Sequence, residues 1–441
     1  MRDSNGLDYR LRKEMSIRIN IAKEEKGISS QLHVLIDENT FIDSELNFHA
    51  GLTTRKETAT NNHMDKQVEK QAKMGSESSA PVTYGTRLLN DIKVEWKKVE
   101  MDAKLPSRDG HCAAAIADKL YVFGGVRWLS DLEEVTESNE ILVFDVASHT
   151  LNKIITGGDV PSARSSAAVA AVGMKLYVFG GLSRDCGWLN DLHAFDTETK
   201  QWQNITCKGV PPSPRDKLSC VAMGTKIIFF GGFGPLENLE TEKSEQEEAE
   251  FGWFNDLFSF DTENCTWEKL TPSFTGSPTP RAAHGMCAVG SRLVIFGGRD
   301  SVGRKNDIFV LDTDTMEWIS KPTSGRQPEP RSFHTCTAVG NRVVVFGGRS
   351  LENAHFDDLH IFDTDTNEWL QPSTSGSIPH GRGVHTATLV GDQLVLYGGS
   401  SDFDGETMQC QEYHGDVYLI AKEQFLSGMS QGPDPNDVPP V

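Results

Sequence analysis

The sequence predicts an all-β domain of six four-stranded antiparallel units behind a polar leader. Three observations carry this reading. A run of apolar residues ending in a glycine pair occurs six times, at Gly124-Gly125, Gly180-Gly181, Gly231-Gly232, Gly297-Gly298, Gly347-Gly348 and Gly398-Gly399. Successive first glycines stand 56, 51, 66, 50 and 51 residues apart, and self-similarity at about 50 residues marks stacked supersecondary units. Between the pairs, short β-type runs alternate with Gly and Asx turns, the signature of consecutive hairpins.

Residues 1 to about 85 lack the repeat and any sustained apolar periodicity. They read as a disordered leader with a short helix at 64–73. Residues 90–421 hold the repeats, and 422–441 read as a flexible tail. Within a repeat the order of signals is regular. A Pro-Arg step leads into a small-residue run such as Ser332-Phe333-His334-Thr335-Cys336-Thr337-Ala338-Val339, which is strand A. A tight turn, Gly340-Asn341, precedes the apolar strand B that ends in the glycine pair. After a variable loop comes strand C, Leu359-His360-Ile361-Phe362-Asp363, and a Thr/Asp turn leads to Trp369 and strand D.

Each conspicuous residue in this pattern has a structural reading. The same six-residue step separates Asp196 from Trp202, Asp261 from Trp267, Asp312 from Trp318 and Asp363 from Trp369. Asp after strand C can hold a turn through its own side chain. Trp opening strand D offers a large surface for packing between sheets. The glycines mark close approach of neighbouring backbones. His111, His284, His334 and His385 follow the Pro-linked Arg by three residues, a recurrence that points to structural hydrogen bonds and not to metal ligation.

Composition bounds the function classes. Of 441 residues 37% are hydrophobic, and the net charge of -20 falls almost wholly on the repeats. Such acidity disfavours nucleic acid and anionic membrane surfaces, and no stretch reaches the length of a membrane span. The eight cysteines form no C-x-x-C pair. With no apolar signal segment among the first 30 residues, the reading is a reduced cytoplasmic protein, with the nucleus as an alternative, and not a secreted one.

The six glycine pairs, the Asp-to-Trp turns and a Pro-linked Arg in every copy resemble the kelch repeat across roughly residues 90–420. The resemblance implies a six-bladed β-propeller. The first repeat departs from the pattern, with Leu151 where Trp is expected, and the sixth lacks a D strand after Val417-Tyr418-Leu419. Trp96-Lys97-Lys98-Val99 matches the missing strand. An N-terminal strand around Trp96 is therefore expected to complete the sixth blade and close the ring, leaving no open edge.

Alternating strand directions put the B–C and D–A loops on one face, and variable loops on a rigid frame are where binding is normally found. These loops carry Arg127, Trp128, Arg184, Trp188, Phe233, Trp253, Phe254, Arg299, Arg304, Arg349, Phe356, Phe403 and Tyr413, of the residue types that dominate interfaces. The D–A arginines Arg108, Arg164, Arg215, Arg281, Arg331 and Arg382 are read as mostly structural, yet they stand where a ring of guanidinium groups at the channel mouth would suit carboxylates. A Glu-rich insertion at 237–250 is expected to form a mobile acidic flap over that mouth.

The expected function is a non-catalytic adaptor or scaffold, a monomeric propeller binding a protein or peptide segment that is acidic or a chain terminus. No cofactor, metal or catalytic residue is expected. Kelch propellers also serve as substrate receptors of cullin-type ubiquitin ligases, and this stands as an alternative. The N-terminal segment is too short and polar for a BTB and BACK pair and shows no F-box, and 425–441 shows no elongin-binding helix. A propeller enzyme acting on a sugar or metabolite is the third reading. The iron site of plant specifier proteins would need a histidine at Ile420, after Glu412 and Asp416.

Overall fold

The computed structural model describes residues 92–427, apart from 102–105, 130–133, 237–249, 274, 320 and 408, together with a short antiparallel pair, Arg18–Ile21 and Leu32–Leu35. The expectations of a disordered leader with a helix at 64–73, and of the acidic flap, fall outside these residues but for that strand pair and Glu250.

Six antiparallel sheets follow one another along the chain, each in the order A-B-C-D. In blade 2, Ala168–Val172, Lys175–Phe179, Leu192–Asp196 and Gln201–Asn204 form this meander. Blades 1, 3, 4 and 5 repeat it. The A strands touch in cyclic order, and blade 6 meets blade 1. Blade 6 takes its fourth strand from the other end of the chain. Lys93–Lys98 pairs antiparallel with Val417–Ala421 through Lys97↔Leu419 and Lys98↔Tyr418, as the Trp96 motif predicts.

Strands B and C are apolar on both faces because each blade is covered by a neighbour on either side. The core is accordingly divided into six clusters, one per blade interface. Trp packs across these interfaces. Trp202 of blade 2 lies on Phe123 of blade 1, Trp369 on Phe296, and Trp96 on Phe346 of blade 5 with ring centroids 4.9 Å apart. The predicted Asp turns form, with Oδ1 of Asp145, Asp196, Asp261, Asp312 and Asp363 accepting N–H bonds from two and three residues on.

The glycine pairs join the blades. The second glycine of every pair donates its N–H to the carbonyl of the D–A arginine in the next blade, at 2.8–2.9 Å, ending with Gly399 to Arg108 across the closure. Both glycines have positive φ, and a Cβ on Gly398 would stand 2.7 Å from the Arg108 carbonyl and 2.6 Å from the His111 ring. His334 and His385 abut Gly297 and Gly347 in the same way. These rings are buried and neutral. Burial, then the adjacent arginine, lowers His111 and His334 to about 3, and burial likewise lowers His284 and His385.

Residues 422–441 do not all behave as a tail. Lys422–Leu426 forms a helical turn whose Phe425 is fully buried against the blade 5/6 cluster. Arg342, paired with Asp363, donates to the carbonyls of Phe425 and Ser427 at 2.5 and 2.9 Å. The Glu95 N–H donates to the Gln424 side chain at 2.7 Å, tying this turn to the closing strand. Residues 428–441 lie outside the described residues. No described helix is long and apolar enough to cross a membrane.

Two outcomes follow for stability. Trp96→Ala is expected to cost about 3–5 kcal/mol, read from urea unfolding, with unchanged stability refuting the closure. The neutral histidines have folded pKa values below their unfolded value of about 6.5, so the unfolded chain binds more protons below that pH. Stability should be full above about pH 6.5 and fall as pH drops towards about 3, and His334→Gln should flatten the slope of unfolding free energy against pH.

Candidate functional site

The D–A and B–C segments of each blade are stitched together. The residue after each D–A arginine pairs with the residue after the glycine pair, as in Asp109↔Val126, Ser165↔Leu182, Asp216↔Phe233, Ala282↔Arg299, Ser332↔Arg349 and Gly383↔Ser400. Both loop sets therefore share a face. One residue further on, Gly110, Ser166, Lys217, Ala283, Phe333 and Val384 form a closed ring of backbone hydrogen bonds at 2.7–3.2 Å, each N–H donating to the preceding blade. All six have φ between 52° and 61°, a left-handed conformation unfavourable for every member but Gly110. Six simultaneous hydrogen bonds hold the five other residues in it.

The six D–A arginines do not present an open ring of charge. All are at most 2% exposed. Each donates from Nη1 to the carbonyl of the first glycine of its own blade at 2.9–3.1 Å. Each is also paired with the acid that precedes strand C. Arg164, Arg215, Arg281 and Arg331 grip Asp191, Asp256, Asp307 and Asp358 through two nitrogens, Arg382 binds Asp416 at 2.7 Å, and Arg108 lies 3.5 Å from Glu140. The recurrence of an acid just before strand C was the signal in the sequence for this pairing. Phe254 and Phe356, both half-buried, lie under Arg215 and Arg331, 3.7 and 4.1 Å from guanidinium carbon to ring centre, and so also pack the clamp.

The remaining loop residues separate into groups. In blade 1, Arg127 donates to Glu140 at 3.1 and 3.2 Å and so shares the acid of Arg108. The side chain of Trp128 lies outside the described residues. Arg184 is exposed, and its N–H donates to Glu137 at 2.7 Å. Between blades 2 and 3 an aromatic cluster forms. Trp188 lies 4.8 Å from Phe251 and 6.2 Å from Phe233, and Trp253 meets Phe233 edge-on at 5.1 Å. Nε1 of Trp188 donates to Asp216 at 3.2 Å, which fixes the indole.

The third group gathers on blades 4 to 6. Arg304 donates to the Ser332 hydroxyl at 2.8 Å and to the Asn353 amide oxygen at 3.0 Å, both neutral acceptors. Burial, then the neighbouring Arg299, depresses its pKa to about 10. Burial also lowers Arg299, and takes Arg349 to about 10. Arg349 spans the rings of Phe333 and Phe403 at 5.1 and 4.4 Å, and its backbone bridges to His355. Burial followed by Arg349 and Arg304 lowers His355 to about 3, so this imidazole is neutral. Tyr413 is half-buried on the blade 6 loop. Burial works against all three guanidinium charges, and Arg299 adds repulsion at Arg304, so an incoming anion would stabilise them. His355 and Ser332 carried no sequence signal, because only the fold sets them beside Arg304.

Comparison with known proteins agrees with this architecture. A family model described as the KLHDC2/KLHL20/DRC7 Kelch-repeats domain matches residues 88–244 and 243–399. The chain is similar to Kelch domain-containing protein 1 of Homo sapiens, 35% identical over 67% of this chain and 76% of that protein. It is similar also to Kelch domain-containing protein 2 of Bos taurus, 36% identical over 48% of this chain and 55% of that protein. Kelch domain-containing protein 3 of Bos taurus is 28% identical over 71% and 84%. Six blades with this repeat, and relatives aligned across them, place the chain in the kelch-repeat β-propeller family, a family of protein-interaction modules.

Proposed function

We propose that this chain is a non-catalytic interaction module that takes up the carboxylate end of a protein or peptide at Arg299, Arg304 and Arg349. The observation that supports it most is Arg304, half-buried beside Arg299 and hydrogen-bonded to a hydroxyl and an amide oxygen. The D–A arginines already hold carboxylates of the frame. The Arg299/Arg304 pair is weakened as a cation by burial, and at Arg304 by the charge of Arg299, against partial support from Asp300 and Glu352. A carboxylate entering there would gain charge-assisted, bidentate hydrogen bonds in a site shielded from water.

A chain terminus suits this position better than an acidic side chain. It brings its carboxylate end-on, with peptide groups immediately behind it. Those groups would meet the face that carries Trp188, Phe233 and Trp253, where rigid aromatic surface provides affinity for the preceding residues.

Peptides with free and amidated C-termini, titrated by fluorescence anisotropy, test the reading. Charge-assisted bonds contribute about 1.5–3 kcal/mol, so amidation or Arg304→Glu should weaken binding by about 10–150-fold. Affinity that survives both changes within about twofold would sink the proposal. Trp188→Ala should weaken free-acid peptides by about 2 kcal/mol, and an unchanged affinity would remove the aromatic cluster from the face.

A further inference from the structure

Beside the basic cluster, the blade 6 loop and the segment entering blade 6 bring together His380, Glu412 and His414. One ligand atom from each lies within 4.8 Å of the other two. His380 and Glu412 are exposed, whereas His414 is 6% exposed. His380 meets the arginine clamp through its main chain, its carbonyl accepting from Nε of Arg382 at 3.0 Å, which leaves its imidazole for other contacts.

The hydrogen bonds around the cluster select the ring nitrogens. Nδ1 of His380 lies 3.1 Å from the Gly381 carbonyl, which can only accept, so Nδ1 carries the proton and Nε2 keeps its lone pair. The Ser401 hydroxyl donates to Oε2 of Glu412 at 3.3 Å. Its oxygen then accepts from Nε2 of His414 at 3.0 Å, which leaves Nδ1 of His414 with its lone pair. Both imidazoles thus have one nitrogen held by an acceptor and the other open, the arrangement that orients metal-ligating histidines. Glu412 retains a second carboxylate oxygen. The other carboxylate nearby, Asp416, is held by Arg382 and by the Tyr418 hydroxyl, with Lys98 3.7 Å away.

We propose that His380, Glu412 and His414 form a three-ligand site for a divalent zinc-class ion. Two imidazoles and one carboxylate are a donor set suited to zinc, and three protein ligands leave a coordination position for water or a donor from a partner. Ligand atoms around tetrahedral zinc stand about 3.3 Å apart, given bonds of about 2.0–2.1 Å. The remaining closure falls to His380 and Glu412, whose exposed side chains can rotate, while buried His414 and Ser401 provide the fixed side. The site links the chain entering blade 6 to that blade's B–C loop, so the ion would brace the loop face next to Arg349.

Equilibrium dialysis of the full chain against zinc chloride, with cysteines alkylated beforehand to remove thiol ligands, tests the site. One zinc per chain is expected, lost in His380→Ala and in Glu412→Gln. Both positions are exposed, so these variants should keep the unfolding midpoint of the metal-free wild type. Ser401→Ala, which frees the His414 ring, should weaken zinc by about 10-fold or more. Cobalt(II) in place of zinc should give the visible absorption of a tetrahedral centre. An alkylated wild type that takes up no zinc, or zinc retained by both His380→Ala and Glu412→Gln, would overturn the proposal.

Discussion

The hydrogen bond from each second glycine to the arginine carbonyl of the next blade sets the distance between blades, and the remaining structure adapts to that distance. At this separation a Cβ on the first glycine of each pair would stand 2.6–3.0 Å from that same arginine carbonyl, so the position excludes a side chain. The arginine whose carbonyl is used cannot leave, because its guanidinium binds its own blade's first glycine and the acid before strand C. A buried guanidinium is destabilising unless paired and fully hydrogen-bonded, and here the pairing is repeated around the ring. One residue thus joins two blades, through its main chain to one and its side chain to the other.

This spacing distributes the core. Each cluster is shared by two blades, and no blade buries its apolar faces alone. Closure is therefore a condition of stability for every blade, and the chain achieves it by pairing its two ends. The closing strand brings Ile92, Val94 and Trp96 into the blade 5/6 cluster, where Phe425 fills the same layer from the opposite end of the domain. Arg342 in blade 5 then anchors that terminal turn through its carbonyls.

The frame is close to six-fold in its main chain, and the loops are not. Fixed pairings place every B–C loop beside a D–A segment, but aromatic side chains collect near blades 2 and 3, arginines near blades 4 and 5, and histidines near blade 6. A partner therefore meets different chemistry around a uniform ring. Charge that looks equivalent in sequence is not equivalent here. Arg331 and Arg349 lie in adjacent segments of blade 5, yet one is locked to Asp358 and the other stacks between Phe333 and Phe403.

Blade number, strand order, the Asp turns, the Trp packing and the N-terminal closure were legible in the sequence, because each depends on local periodicity repeated at a regular interval. The acid partner of an arginine such as Arg281 or Arg215 is present as a repeated residue but carries no local link to it, since it lies 26 to 41 residues away. The assignment of Phe254 and Phe356 to packing, of Arg304 to Ser332 and Asn353, and of Ser401 to His414 depended on the tertiary structure. These contacts join loops of different or facing segments, whose relative placement follows from blade twist and ring closure. By itself the sequence determined the frame, because backbone spacing admits only glycine at the junctions and repeats wherever glycine does. Which loop side chains face one another was decided only when six such junctions closed into a ring.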